Sequence, residues 1–362
     1  MISTATGIDK TVIKGFKLNY IDKEKLNAHV YENVILQTAN YGIIVPTSSD
    51  EEEKIVYLKI TDGHLFKYLM LGVKQNRGTL IPYYHLEISI SDLTDNNLIP
   101  LSTTEYLNII SRIKAYLLDI YGLDVDFTNA YYDEIELNKT AVMDKEFKEY
   151  DYLLNLMGKL VPKRYKNRVY HTDELNILKQ VEFYNDSVKG KIYDKTRQLQ
   201  EKFKIVLDKN YMRIEYTLHG SKKIETALGE RAITKVSDEA IKSFLNEQIE
   251  KDLIAPLEKH ITEGSKKLIA IATALRKKNR NNWVSSLIDK SLNANLLYTS
   301  PAGEIRVPLL VDTQQVKEAI KKVSGNNAYR NIKTAEKNYS SFSNSGSNLD
   351  NFKEIRDKFL LH

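Results

Sequence analysis

The chain has 362 residues, 42% of them hydrophobic and 28% charged, with seven prolines and fifteen glycines. That balance excludes collagen-like, disordered and membrane-spanning classes, and at about 150 residues per domain it predicts two domains. The 53 basic against 48 acidic residues leave a net charge of +5, which permits an anionic partner without requiring one. Zero cysteine excludes disulfides, thiolate metal sites and a cysteine nucleophile, and predicts a cytoplasmic setting. The longest uncharged run, 33–49, is broken by Gln37, Thr38, Asn40, Pro46 and Thr47, so no membrane partner is expected. Residues 1–10 lack the basic start and apolar core of a signal peptide. Tyrosine outnumbers phenylalanine by 23 to 10, a bias that singles out no residue by itself.

In chain order, residues 10–137 read as strands with one helix. That helix opens at the capping box Ser102-Thr103-Thr104-Glu105, carries Leu107, Ile110, Ile113, Leu117 and Ile120 on one face, and stops at Gly122. A second helix is predicted over 144–160, where Phe147, Tyr150, Leu154 and Met157 recur at helical spacing. A basic linker with Lys159, Lys163, Arg164, Lys166 and Arg168 follows, free of acids until Asp173. Residues 181–218 return to strand-like alternation, and from 237 to about 297 the pattern is helical. A short hairpin is expected over 302–311, a helix over 313–323, a Ser/Asn/Gly-rich linker over 339–348 and a terminal helix over 351–360. The implied division is a domain of residues 1–235, a helical domain of 236–336 and a tail of 337–362. The expected fold class is α+β: an antiparallel sheet with helices on one face, plus a mainly helical C-terminal domain.

Residues at i, i+2 and i+4 of a strand share a face. On this rule, four segments put polar chemistry on one side: His85, Glu87 and Ser89; Glu134, Glu136 and Asn138; Lys191, Tyr193 and Lys195; and Arg213, Glu215 and Thr217. An antiparallel sheet commonly has one wet face, so each set is ordinary surface when taken alone. Taken together, carboxylates, a histidine, a tyrosine and lysines are the residue types of a divalent-metal phosphodiester site.

The succession HLEISISDL (85–93), the capped helix, YYDEIEL (131–137), GKIYDKTRQLQEK (190–202) and MRIEYTLHGSKKIETALG (212–229) resembles the filamentous-phage gene II replication initiators. It is also similar to the Rep_trans group of plasmid rolling-circle initiators, over roughly residues 10–230. The resemblance rests on motif order and spacing, and it implies an HUH-endonuclease-like core. The chain departs from the His-x-His metal pair of many such enzymes, His85-x-Glu87 being its nearest approach. It also carries Glu134-Ile135-Glu136 in place of the family's Arg-Ile-Asp strand.

What the resemblance implies is tyrosine attack on a DNA phosphodiester, giving a 5′-phosphotyrosyl link and a free 3′-hydroxyl that primes rolling-circle synthesis. Tyr193 holds the nucleophile's position, with Tyr184 in reserve. A phenol with pKa near 10 is short of its nucleophilic form at pH 7 by about three units, roughly 4 kcal/mol. Lys191 and Lys195 are expected to favour the phenolate and the developing phosphoryl charge. Glu87, Glu136 and Glu215, with His85 and Glu134 as further ligands, are expected to hold Mg²⁺ or Mn²⁺. Each also has an ordinary role, Tyr193 as a strand aromatic and Glu215 as a partner of Arg213 or Lys222.

Expected DNA contacts are Lys163, Arg164, Lys166, Arg168, Arg213, Lys222, Lys223 and the cluster Arg276, Lys277, Lys278 and Arg280. Trp283 is either a base-stacking platform or a buried tryptophan, and 313–336 fits a helix-turn-helix spacing. The expected function is replication initiation by site-specific DNA nicking and strand transfer, for a phage, plasmid or integrative element. Its expected partners are origin DNA, a host helicase and polymerase, and a second copy of the chain in a homodimer. The rival readings are a non-enzymatic DNA-binding regulator, a relaxase-like mobilisation protein, and a phosphodiesterase that uses activated water.

Overall fold

The computed structural model describes residues 4–30, 32–49, 51–63, 65–77, 79–89, 98–289, 297–299, 306–308, 313–338 and 348–360. The chain begins β1 (Thr4–Lys14), β2 (Lys17–Ile21), α1 (Lys23–Ala28), β3 (Val34–Pro46), β4 (Glu52–Thr61), β5 (Tyr68–Asn76) and β6 (Thr79–Ser89). It continues α2 (Thr103–Tyr121), β7 (Leu123–Asp126), β8 (Tyr131–Met143), α3 (Asp151–Leu160), β9 (Asn167–Thr172), β10 (Leu178–Tyr184), β11 (Val188–Asp194), α4 (Lys195–Phe203) and β12 (Asn210–His219). Then follow α5 (Ser221–Leu228), α6 (Asp238–Ile249), α7 (Ala255–Lys278), α8 (Trp283–Ile288), β13 (Leu297–Thr299), β14 (Arg306–Pro308), α9 (Thr313–Ser324), α10 (Ala328–Asn338) and α11 (Asn348–Leu360).

Two units result: Met1–Ala141 with Tyr184–Leu245, and Val142–Phe183 with Asn246–His362. The division differs from a single cut after residue 235. The apolar face of α3, with Leu153, Leu154, Leu156 and Met157, packs with α7 and α11, so residues 142–183 fold with partners distant in sequence. Lys145 and Tyr150 reach Asn351 and Glu354 with 2.6 Å hydrogen bonds in the same unit.

In the first unit the strands lie in the order β3-β4-β5-β6-β1-β8-β12-β11, with antiparallel registers. One face is apolar: Ile88, Ile135, Ile214 and Leu218 are buried on it. The α2 helix packs there, as its apolar stripe predicts, and Tyr106 on it meets Thr11 of β1 through a 2.5 Å hydroxyl contact. Both ends of α2 follow the sequence. Ser102 and Glu105 cap each other reciprocally, and Gly122 adopts the left-handed conformation with φ +67°. A Cβ at Gly122 would lie 2.5 Å from that of Asp22, so glycine is required there twice over.

In the second unit α7, α8, α9 and α10 surround a core of Leu268, Ala272, Trp283, Leu287, Val316, Ile320 and Ala335. Trp283 is buried in that core and is no base-stacking platform. The helix-turn-helix spacing appears as α9, a tight turn at Gly325–Asn327, and α10. The expected hairpin is a pairing of β13 with β14, displaced toward the N-terminus from 302–311. Of the expected linker over 339–348, residues 339–347 lie outside the described residues, and Asn348 begins α11. Among the described residues no helix is long and apolar enough to cross a membrane.

Candidate functional site

Four adjacent strands, β1, β8, β12 and β11, bring the polar side chains together. Lys191 pairs across from Glu215, and Tyr193 from Arg213, so alternation puts all four on the face opposite the apolar core. Glu136 reaches the same face from β8. Its Oε2 accepts from Lys191 Nζ at 2.9 Å and from Thr217 Oγ1 at 3.0 Å. Lys191 Nζ also donates to Glu215 Oε2 at 3.0 Å, and the Tyr193 hydroxyl donates to Glu215 Oε1 at 2.5 Å.

Asp9 joins this group by a different device. The β1–β8 register slips between Ile8, opposite Leu137, and Lys10, opposite Glu136, leaving Asp9 as the extra residue of a bulge. A bulge re-aims a side chain that strict alternation would send elsewhere. Asp9 Oδ2 accepts from Arg213 at 3.2 Å. Arg213 is fully buried and also donates to Thr140 Oγ1 at 2.7 Å and to the Leu98 carbonyl at 2.9 Å.

Ligand oxygens of Asp9, Glu136 and Glu215 lie within 4.8 Å of one another, the group among the described residues able to hold a metal ion. Three converging carboxylates suit a hard divalent cation such as Mg²⁺ or Mn²⁺. The Lys191 ammonium lies between two of these carboxylates, a cation where the acids demand one. The site opens on this side, since the Lys191 and Glu136 side chains are 20% and 14% exposed while those of Glu215 and Arg213 are 4% and 0%.

Burial and charge oppose each other here. Burial pushes the Glu215 carboxyl up, but Lys191 and Arg213 hold it below the ordinary range. Glu136 is raised, by burial and then by the charge of Glu215. Burial, followed by Glu215, pushes the Tyr193 phenol well above its ordinary value. The expectation that flanking lysines favour the phenolate is therefore reversed in this arrangement: Lys191 is engaged by the carboxylates.

Lys195 departs from its expected place because the strand ends at Asp194, whose side chain caps α4 by accepting from the Arg197 amide at 2.9 Å. Lys195 is the first residue of that helix and does not continue the strand face. It is buried, its Nζ donates to Gln198 Oε1 at 2.9 Å, and burial followed by the charge of Arg213 lowers it to about 7.

Glu87, His85 and Glu134 are not part of the triad. Glu87 and Glu134 both register with Val12, whereas Glu136 registers with Lys10, one pleat further along the sheet. Lys10 Nζ lies 3.2 Å from both Glu87 and Glu134. Lys67 donates to Glu87 at 3.0 Å. His219 contacts Glu134 at 2.9 Å and, ahead of Lys10, brings its carboxyl down to about 2. The His85 ring stacks on Tyr68 at 5.1 Å, and its buried Nε2 has no hydrogen-bond partner among the described residues.

Of the expected DNA contacts, Arg213 is an internal cation, and Arg164 is held by the fully buried Asp252 in the second unit. Arg168 is half-buried and donates to the Val161 carbonyl at 3.2 Å. Lys163, Lys166, Lys222, Arg276, Lys277, Lys278 and Arg280 are exposed, and Lys223 is half-buried.

No family model and no curated protein matches the chain. Among solved structures it is similar to a rolling circle replication initiator protein from Geobacillus stearothermophilus, at 11% identity over 69% of this chain and 85% of that one. The TM-score is 0.33, a likeness too loose to carry residue correspondences.

Proposed function

We propose that this protein nicks DNA at a specific site and transfers the strand through a 5′-phosphotyrosyl link on Tyr193, initiating rolling-circle replication of a phage, plasmid or integrative element. One observation carries the reading: a tyrosine hydroxyl bonded to one of three converging carboxylates, with a lysine between two of them, on four adjacent strands. Tyr193 Oη attacks phosphorus, the bond from phosphorus to the 3′-oxygen breaks, and the phenolic proton passes to Glu215 Oε1, which already accepts it in a hydrogen bond. The departing 3′-oxygen takes a proton from water and becomes the primer end for a host polymerase. Lys191, at the open edge of the site, meets the incoming phosphate. A divalent ion held by Asp9, Glu136 and Glu215 supplies, when bound, neutralisation of phosphoryl charge. Mobilisation by the same chemistry is the close variant.

The burial of Tyr193, 5% exposed, favours a second reading, a DNA-binding protein whose polar network is a folding core. The test is incubation of labelled single-stranded origin DNA with the protein and Mn²⁺, followed by denaturing electrophoresis. A covalent adduct mapped to Tyr193 by mass spectrometry and abolished by Tyr193→Phe is expected. Cleavage without adduct would indicate attack by water, and binding without cleavage would indicate the second reading.

A further inference from the structure

The second unit contains a groove of about 1150 Å³ that the catalytic chemistry does not use. Arg276 and Lys277 at the end of α7, Arg280 just beyond it, Lys322 on α9 and Arg330 on α10 line it, and among the described residues no Asp or Glu does. Among the described residues Lys277, Arg280, Lys322 and Arg330 make no ion pair, so their charge is available to a ligand. Arg276 donates to the Val323 carbonyl and ties the α7 end to α9. Asn281 adds an amide to the lining, and the Asn331 amide there donates one of its hydrogens to Ser324 Oγ at 2.9 Å.

We infer that this groove binds the sugar-phosphate backbone of single-stranded DNA. The argument has three parts. Five cations with no carboxylate among the described lining residues favour a polyanion. Guanidinium, ammonium and amide donors are the groups that contact phosphates, and they carry no base preference. A groove of this volume has room for a few nucleotides of a single strand. The placement also redirects the helix-turn-helix spacing: Lys322 and Arg330 face a groove shared with α7, where they hold a backbone and read no bases. The inference rests on the DNA-processing reading above and assigns this groove to the single strand that a nick exposes.

The test uses full-length Tyr193→Phe protein in EDTA, which separates binding from covalent chemistry, so an absent adduct in the nicking assay leaves this measurement intact. Binding of a labelled 20-mer is followed by anisotropy against salt. Removing three phosphate contacts lowers the logarithmic salt slope by about 2 for a single strand, which is about 100-fold in affinity at 0.1 M salt. Arg280→Gln/Lys322→Gln/Arg330→Gln is expected to show that loss on every sequence tried. The control Lys251→Gln/Lys259→Gln/Lys266→Gln, with the same change in net charge outside the groove, is expected to stay within threefold. Circular dichroism verifies that both variants fold. A groove variant within threefold of the parent, an equal loss in the control, or a groove-dependent preference for duplex, anionic vesicles or polyglutamate would overturn the inference.

Discussion

Arg213→Met removes the positive charge on which the buried side of the site depends. Arg213 is fully enclosed, 2.7 Å from Thr140 Oγ1, 2.9 Å from the Leu98 carbonyl, 3.2 Å from Asp9 and 3.8 Å from Glu215. Methionine is apolar and unbranched, so packing changes little while Asp9 and Glu215 lose their shared partner. Breaking a buried ion pair from one side costs about 3–5 kcal/mol, a large share of the roughly 5–15 kcal/mol that stabilises a domain. The sign of the pH dependence follows from the carboxylates left behind. Arg213, after Lys191, holds the Glu215 carboxyl below its ordinary range, so with one fewer cation that group titrates higher in the folded variant than in the folded parent. The variant's folded state then binds more protons than the parent's, and the stability lost grows as pH rises through that interval. Urea unfolding at pH 5 and pH 7.5, followed by circular dichroism and by hydrogen exchange at β11 and β12, measures both effects. A loss under about 1 kcal/mol, or one equal at the two pH values, would refute the assignment of Arg213 as the charge that balances Asp9 and Glu215.

Two further outcomes follow from the same residues. Mn²⁺ is expected to raise the melting temperature, by about 2.7 kcal/mol of stabilisation at 100 times its Kd; Asp9→Asn or Glu136→Gln should abolish the shift and Glu87→Gln should leave it, and a reversed pattern would place the metal in the Lys10 cluster. Lys195→Met is expected to stabilise the protein at pH 6–7 and to flatten its pH dependence. A buried lysine lowered to about 7 leaves the folded state with fewer protons than the unfolded one between pH 7 and about 10.4, so wild-type stability rises with pH across that window. Parallel urea titrations of the two proteins at pH 6, 8 and 10 decide it.

Period and cap signals carried the parts of this fold that are local. The capping box and terminal glycine of α2, and the shared face of Lys191, Tyr193, Arg213 and Glu215, are all present where alternation and spacing put them. The missing member of the carboxylate triad was Asp9. In TATGIDKTVIK an acid adjacent to a lysine breaks alternation, and only the register against β8 shows that the break is a bulge aimed at the site. The same dependence on register placed Glu87 one pleat away from Glu136, since both strands alternate correctly and nothing in either states which residues face each other across β1. Lys195 leaves the strand for a local reason that was visible: Asp194 followed by a helix-forming run is an N-cap, and it ends the strand before the lysine, which still senses the charges of Arg213, Asp9 and Glu215. The folding of residues 142–183 with 246–362 was illegible because the contacts of α3 with α7 and α11 are non-local.

Charge arithmetic at the site leads to a coupling. With Asp9, Glu136 and Glu215 all ionised, Arg213 and Lys191 leave one net negative charge once Lys195, lowered to about 7, has lost its proton above neutral pH, and Glu215 keeps the Tyr193 proton in place. A phosphodiester brought to that opening adds a second negative charge, so the acids alone repel the substrate. One divalent cation cancels both charges. DNA and the metal ion should therefore bind with positive coupling at the Lys191 edge, each tightening the other by the same factor, for which 5–150-fold is the usual range. In Tyr193→Phe protein, Mn²⁺ should strengthen oligonucleotide binding, the oligonucleotide should strengthen Mn²⁺ binding to match, and Glu136→Gln should weaken the coupling. A coupling factor of 1, or Mn²⁺ that weakens DNA binding by screening alone, would show that the strand does not reach the carboxylates, leaving the Asp9, Glu136 and Glu215 cluster as a folding device.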